Sequence, residues 1–331
     1  MQIARKLSDI KLPPDQQTVL TIGSYDGLHR GHRAIINSLR QAALANNALS
    51  ALVTFYPRPK AIFAPNHKAD YLTTLDEKIA LFRKLGLDMV TIIPFTVEFA
   101  QTSPRQFVEE IVRALRPLEL WVGADFRFGQ ARRGDVDLLR KLSPDLAFTV
   151  KSVDLQSIDS QRISSTQIRA SLAKGEVRQA ATLLGDYPFL QGEVVRGAQR
   201  GRKLGFPTAN VAVHQDKLLP LNGVYAVWVH IGTDVYPAVA NVGIRPTFQE
   251  GQKTIEVHIF DFDKDIYGQH IQVDLVDFLR PEMNFSQLGL EALITQIADD
   301  TRQARQILAV EASPSPLKID VSRSPKYTLD S

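Results

Sequence analysis

Between Thr18 and about Val153, short β-rich apolar runs alternate with longer segments of helical period. The runs are Thr18–Ser24, Ala51–Phe55, Met89–Pro94, Leu118–Gly123 and Ala147–Val153, each too short for a good helix and suited to a buried strand. The helices between them carry their own punctuation. Ser103-Pro104-Arg105-Gln106 offers an N-cap, a proline at the first helical position and a capping-box glutamine, while Gly86 closes a helix that begins near Thr74. Repeated strand–helix–strand units predict an α/β doubly wound, mainly parallel sheet with helices on both faces.

The pattern changes at Gly185-Asp186-Tyr187-Pro188, where a glycine ends the helical segment Glu176–Leu184 and a proline forbids its continuation. A domain boundary is expected there, giving residues 1–186 and 187–312. From Phe189 to Leu279 the chain reads as strands, including Val224–Ile231, Val235–Asn241, Thr254–Phe260 and His270–Leu279, separated by Gly, Asn, Asp and Pro turns. Many short strands without intervening helices predict a small antiparallel β-barrel. A terminal helix from about Phe285 to Val310 is expected to pack against it, and the Ser/Pro-rich residues 313–331 to be a disordered tail.

Composition narrows the chemistry. The 331 residues include no cysteine, which removes thiolate catalysis, Cys-ligated zinc and iron–sulfur clusters. His, carboxylates, hydroxyls or a bound ion must do the work. With 39 Lys+Arg against 36 Asp+Glu the net charge is +3. A polyanionic partner is allowed by that balance but not demanded, because no run of five like charges occurs. No apolar stretch approaches the roughly 18 residues that span a membrane, and Met1–Leu20 lacks the apolar centre of a signal peptide, so a cytoplasmic protein is expected.

The first chemical constellation is Gly23-Ser24-Tyr25-Asp26-Gly27-Leu28-His29-Arg30-Gly31-His32, where the first predicted strand passes into a helix. Gly23, Gly27 and Gly31 let the backbone turn sharply and approach a ligand, and the helix start presents N–H groups with positive dipole character. His29 and His32, three apart at a helix entrance, can point the same way and donate to phosphate oxygens. A solvated turn with ordinary surface histidines is the plain alternative; zinc is another, but a third ligand at diagnostic spacing is missing. Neither a G-x-x-x-x-G-K-[ST] phosphate loop nor the G-x-G-x-x-G dinucleotide fingerprint is present.

A second anion-binding candidate is Arg162-Ile163-Ser164-Ser165-Thr166-Gln167-Ile168-Arg169, in which Ser164 and Gln167 have capping-box spacing. The predicted helix start is surrounded by hydroxyls and two arginines, a combination that serves phosphate as well as a plain cap. In the second half, Gly197, Gly201, Arg202 and Lys203 form a glycine-punctuated basic loop able to fold over a nucleotide. The following Thr208 and Asn210 can offer oxygens to Mg²⁺ and substrate.

Four motifs of the N-terminal half stand in order: G-x-x-D-G-x-H-x-G-H from Gly23, T-F-x-P-x-P from Thr54 to Pro59, V-G-x-D-F-R-F-G from Val122 to Gly129, and I-S-S-T-x-I-R from Ile163 to Arg169. Together they resemble the nucleotidyltransferase-like module of prokaryotic bifunctional riboflavin kinase/FMN adenylyltransferases (FAD synthetases). In the C-terminal half, Gly205-Phe206-Pro207-Thr208-Ala209-Asn210, Asn222–Ala226, Asn241–Phe248 and Glu256–Phe262 resemble the riboflavin kinase module of the same family, whose fold is a six-stranded barrel.

The resemblance implies two reactions. Riboflavin and ATP give FMN and ADP in the C-terminal module, then FMN and ATP give FAD and pyrophosphate in the N-terminal one. It implies that His29 and His32 stabilise the triphosphate, that Arg162, Ser164, Ser165, Thr166 and Arg169 grip phosphates, and that Asp125 recognises the nucleotide. Phe55, Pro57, Arg58, Pro59, Phe63 and Phe128 become the flavin-binding candidates, although the apolar ones read equally as core. In the kinase the resemblance assigns Gly201 and Lys203 to ATP, Thr208 to Mg²⁺–ATP, Asn210 to metal or substrate, and Glu256 to the general base for the ribityl 5′-hydroxyl. His258 should share the face of Glu256 on a strand.

One departure stands out. The family commonly has P-H-P where this chain has Pro57-Arg58-Pro59, and an arginine cannot act as a neutral acceptor or titrate near pH 7. Two other readings remain: a nucleic-acid-binding barrel joined to a nucleotide-sensing domain, or a protein that keeps only one of the two activities. Against the former, no aromatic–basic interleaving of an RNA-reading sheet is visible.

Overall fold

Both predicted patterns become real sheets. The computed structural model describes residues 1–63, 70–153, 163–197, 201, 204–243, 253–285 and 289–314. By contact the chain divides into two units, residues 1–69 with 75–163 and residues 70–74 with 164–331.

The first unit is a parallel sheet of β1 (Gln2–Ala4), β2 (Thr18–Ile22), β3 (Leu49–Tyr56), β4 (Met89–Pro94), β5 (Pro117–Gly123) and β6 (Thr149–Val153), in the order β1-β4-β3-β2-β5-β6. Every pairing is parallel. Its helices are α1 (Arg30–Ala45), the short α2 (Pro59–Phe63), α3 (Leu75–Lys84), α4 (Pro104–Leu115) and α5 (Val136–Leu142). β2 is buried along its whole length, as a central parallel strand covered on both faces must be. On one face Leu20, Ile22 and Val53 pack with Phe107, Ile111 and Leu115 of α4 and Leu139 and Leu142 of α5. α1 packs on β2 and β3 through its own buried Ile35, Ile36 and Leu39.

The chain runs outward from β2 through β3 and β4, then crosses to the other side of β2 for β5 and β6. That reversal makes the carboxyl ends of β2 and β5 the place where such sheets take ligands. The Ser103 cap forms as expected, its hydroxyl accepting from the Gln106 backbone N–H at 3.2 Å. Gln106 does not reach back to complete a box; its amide donates to Glu110 one turn ahead. β1 was not expected, because three residues along one sheet edge leave no periodicity to read.

The second unit is a closed antiparallel barrel of β7 (Phe189–Val195), β8 (Ala209–Val213), β9 (Gly223–Ile231), β10 (Asp234–Val242), β11 (Lys253–Ile259) and β12 (His270–Pro281), in the order β10-β11-β8-β7-β12-β9. The terminal helix α8 (Gly289–Val310) covers one side, with Ala304 and Leu308 against Val224, Ala226, Trp228 and Val276. Its buried Asp300 receives both Nε (2.8 Å) and Nη2 (2.7 Å) of Arg280, a two-pronged pair that ties α8 to β12.

α6 (Ser165–Ala173) and α7 (Val177–Leu184) also belong by contact to this unit, upstream of the boundary expected at residue 186. The Leu221 N–H donates to the Leu172 carbonyl, and Arg178 Nε donates to Asp277 on β12 at 2.8 Å. The glycine and proline at 185–188 therefore end a helix without ending the unit. Gly185 does close α7, in the left-handed conformation (φ 74°). Of the expected disordered tail, residues 313 and 314 have no regular structure and 315–331 lie outside the described residues.

Candidate active sites

In the sheet unit the turn from Gly23 to His32 leaves the carboxyl end of β2 and opens α1. Gly27 has φ 83°, a conformation that disfavours any side chain with a Cβ, and Tyr25 and Leu28 are also left-handed (φ 47° and 44°). The Tyr25 hydroxyl bonds to Thr21, which pins the turn to β2. Gly31, inside the first turn of α1, is buried.

His29 is the N-cap of α1. Its Nδ1 accepts from the His32 backbone N–H at 3.4 Å, so the ring proton resides on Nε2. The two imidazoles stack with centroids 3.6 Å apart and planes 17° apart. Burial lowers the His29 pKa to about 4, against the opposing pull of Asp26. Burial, then the neighbouring His29 and the Lys78 ammonium, hold His32 well below the ordinary histidine value. Both rings are thus neutral at pH 7 with no ligand bound.

This has a stability consequence. A histidine whose folded pKa is depressed contributes stability above its unfolded pKa of about 6.5, and that stability is lost as the pH falls through the folded value. Thermal melts of the intact protein should therefore drop between about pH 6.5 and pH 4, His29 alone accounting for roughly 3 kcal/mol. His29→Asn, which preserves the cap, should flatten the dependence; an unchanged slope would refute the assignment.

Lys78 on α3 was not anticipated from sequence. It is 2% exposed, and its Nζ donates to the Ser24 carbonyl at 2.8 Å, an oxygen that also accepts from Thr54 Oγ1 at 3.2 Å. Desolvation lowers its pKa to about 8, with Asp26 opposing and Arg58 assisting. Arg58, the departure from P-H-P, forms an ion pair with the buried Asp26 at 3.6 Å. The substituted arginine is thus held against the glycine turn, where it adds a fixed positive charge beside Lys78.

The flavin candidates separate by burial. Phe128 is in the core with Phe107 and Phe126, whereas Phe63 is 61% exposed at the end of α2. Phe55 is edge-on to Phe95 at 5.9 Å, and Phe95 is edge-on to Phe63 at 6.1 Å. Phe95 and Phe99, just past β4, join this aromatic row without having been singled out from sequence. Pro57 and Pro59 stand between Phe55 and Phe63 along the chain, and the exposed Asp125 follows the carboxyl end of β5.

Ser164 caps α6, its Oγ accepting from the Gln167 N–H at 3.3 Å, with Ser165 and Thr166 in the first turn. Arg169 Nε donates to the Asp70 carbonyl at 3.0 Å. These residues belong by contact to the barrel unit. Arg162 lies outside the described residues, as does Lys203 of the basic loop.

Two cavities lined by described residues of the barrel unit bear on the predicted site residues. One, of about 400 Å³, is lined by Val194, Pro207, Ala209, Val257, Asp263–Tyr267 and Thr208. The other, of about 300 Å³, receives Thr208, Asn210, Glu256 and His258, with Phe206, Met283, Phe285 and Leu293 among its apolar walls. Strand alternation explains the division: Val257 and Ile259 face one cavity, Glu256 and His258 the other. Thr208 borders both.

Asn210 on β8 is directly opposite Glu256 on β11, which is opposite Asn241 on β10. His258 is not loose in the cavity; its Nδ1 donates to the Pro207 carbonyl at 2.8 Å and so steadies the segment leading to Thr208. A Cβ on Gly197 would lie 2.3 Å from Asn210 Nδ2, and one on Gly201 would lie 2.4 Å from the Phe206 carbonyl oxygen. Among the described residues no cluster of three His, Asp or Glu side chains could hold a metal, and no helix is long and apolar enough to cross a membrane.

Comparison with known proteins gives two family matches, FAD synthetase over residues 11–167 and riboflavin kinase over residues 184–308. A bifunctional riboflavin kinase/FMN adenylyltransferase of Listeria monocytogenes is 37% identical over 89% of this chain and 94% of that protein. One of Escherichia coli K12 is 38% identical over 94% of this chain and 99% of that protein. Among solved structures, one titled a macrolide-efflux protein from Streptococcus pneumoniae superposes with a TM-score of 0.82 at 29% identity, covering 92% of this chain and 98% of that one.

Proposed function

The chain belongs to the bifunctional riboflavin kinase/FMN adenylyltransferase family, and on that premise we propose which residues carry each of its two reactions. It converts riboflavin and ATP to FMN and ADP, then FMN and ATP to FAD and pyrophosphate.

The kinase reading is carried by Thr208, which borders both barrel cavities. We assign ATP to the cavity with Lys264 and Tyr267, and the flavin to the one whose walls include Phe206, Met283 and Phe285. The γ-phosphoryl group then crosses beside Thr208, and Glu256 takes the proton that the 5′-hydroxyl must lose as its oxygen attacks. Thr208 and Asn210 are hard oxygen donors beside a carboxylate, a set suited to Mg²⁺ completed by substrate phosphates. Mg²⁺, when bound, would be held by Thr208 and Asn210 and would offset the negative charge of the phosphates.

In the adenylyltransferase the FMN phosphate is already an anionic nucleophile, so positioning and charge neutralisation supply the rate. The Nε2–H of His29, the stacked His32, the buried Lys78 and the half-buried Arg58 cation surround the turn that offers its N–H groups to ATP. The exposed Phe63 and its row to Phe95 and Phe55 supply an aromatic face for the isoalloxazine. Phosphate binding by Ser164, Ser165, Thr166 and Arg169, and nucleotide recognition by Asp125, are supported by their motifs. Both reactions draw on ATP, which fits a cytoplasmic location.

Incubation with riboflavin and ATP, followed by separation of the flavins, tests the scheme. FMN should appear before FAD, chelation should stop both and Mg²⁺ should restore both; flavin formation that survives chelation would remove the metal assignment. A second variant checks the kinase site. Gly197→Ala must push the Asn210 amide aside, and because a shift of about 1 Å can cost roughly 100-fold, riboflavin phosphorylation should fall by tens of fold while FAD formation from supplied FMN continues.

A further inference from the structure

One polar atom of the flavin cavity has no task in that scheme. The side-chain Oδ1 of Asn241 is buried and has no hydrogen-bond partner among the described residues. A buried acceptor left unpaired is costly, and in a cavity wall the natural remedy is a donor brought by the ligand. The wall in question is the one that holds Glu256.

Register gives the donor's identity. Asn210, Glu256 and Asn241 are directly opposed across β8, β11 and β10, so they form a row running across the strands on one face. Neighbours in the row are one strand spacing apart, about 4.8 Å. Glu256, when ionised, is an acceptor only and cannot satisfy the Asn241 oxygen. The next member of the row is Val224, and beyond it Arg280 is committed to Asp300. A substrate with its 5′-hydroxyl at Glu256 and its chain running along the row presents a secondary hydroxyl to Asn241, a spacing that a five-carbon polyol can cover.

We propose that Asn241 is a specificity-determining residue of the kinase, its side-chain carbonyl accepting a hydrogen bond from a secondary hydroxyl of the ribityl chain. The proposal rests on the reading of Glu256 as the base. It explains a polar residue amid Val239, Ala240 and Val242 on a barrel strand, and it makes the row a ruler that measures distance from the reacting oxygen.

The experiment compares riboflavin with its 2′-, 3′- and 4′-deoxy analogues as kinase substrates for the intact enzyme and for Asn241→Leu. The intact enzyme should use one analogue about tenfold less well than riboflavin, as expected for loss of one buried hydrogen bond. Asn241→Leu should raise the riboflavin KM by a similar factor with kcat little changed, and should no longer distinguish riboflavin from that analogue. Equal use of all four substrates by the intact enzyme would overturn the proposal without any variant. A uniform loss on every substrate in Asn241→Leu would overturn it too, by showing a packing role. Glu256→Gln run in parallel separates the two levels: if it phosphorylates riboflavin normally, the cavity itself is misassigned, whereas its inactivity beside an unaffected Asn241→Leu condemns only the role of Asn241.

Discussion

Glu256→Gln is expected to lower the kcat for riboflavin phosphorylation about 1,000-fold, within the range a positioned general base supplies, while leaving conversion of added FMN to FAD unchanged. Glutamine keeps the shape and a carbonyl acceptor but cannot take a proton, so the riboflavin KM should move little. The side chain is partly exposed in the cavity wall and lies opposite Asn210 and Asn241 in strand register, and the substitution buries no new charge. Stopped assays with radiolabelled ATP would follow the two reactions separately. A kinase rate within about tenfold of the parent would exclude Glu256 as the base, since removal of a true base costs about 100-fold or more. Loss of both reactions in a folded variant would exclude independent sites.

How the sequence exposes these groups differs sharply between them. Val19, Leu52 and Val90 lie in short apolar runs that a buried parallel strand demands, so the sheet is legible from local pattern. Ser103 and Ser164 cap where their spacing to Gln106 and Gln167 says they should. Glu256 and Asn210 are also visible in motifs, yet what makes them a site is that β11 pairs with β8 in one register, which no local period encodes. Asn241 shows the limit more plainly, for on its own strand it is one polar residue in an apolar run, and only the pairing of β10 with β11 puts it beside Glu256.

Lys78 is hidden for a related reason. On α3 it stands among Glu77, Ile79 and Ala80 in what reads as an ordinary amphipathic helix, and its contact with Ser24 spans 54 residues. A buried lysine becomes visible only when the desolvation it suffers and the carbonyl that receives it are both known. The helix pair α6 and α7 follows the same rule. Gly185 marks where a helix stops, but Arg178 reaching Asp277 decides which unit the helix belongs to.

The adenylyltransferase prediction combines the two kinds of information. His29→Asn should reduce FAD formation from FMN about 100- to 1,000-fold, the loss that follows removal of one preorganised donor to developing charge. Asparagine is a good N-cap, so α1 retains its first-turn acceptor and the change isolates the Nε2–H that phosphate would receive. Supplied with riboflavin, the variant should accumulate FMN, because Glu256 and Thr208 belong to the barrel unit. The neutral state of both rings at pH 7 makes the effect one of hydrogen bonding and not of a lost resident charge, so raising ionic strength should not mimic the substitution. Permanent charge near the turn comes instead from Arg58, paired with Asp26. His29→Asn retaining more than about a tenth of the parent FAD rate would mean that the backbone N–H groups and these cations suffice, and that the stacked imidazoles serve the turn's structure alone.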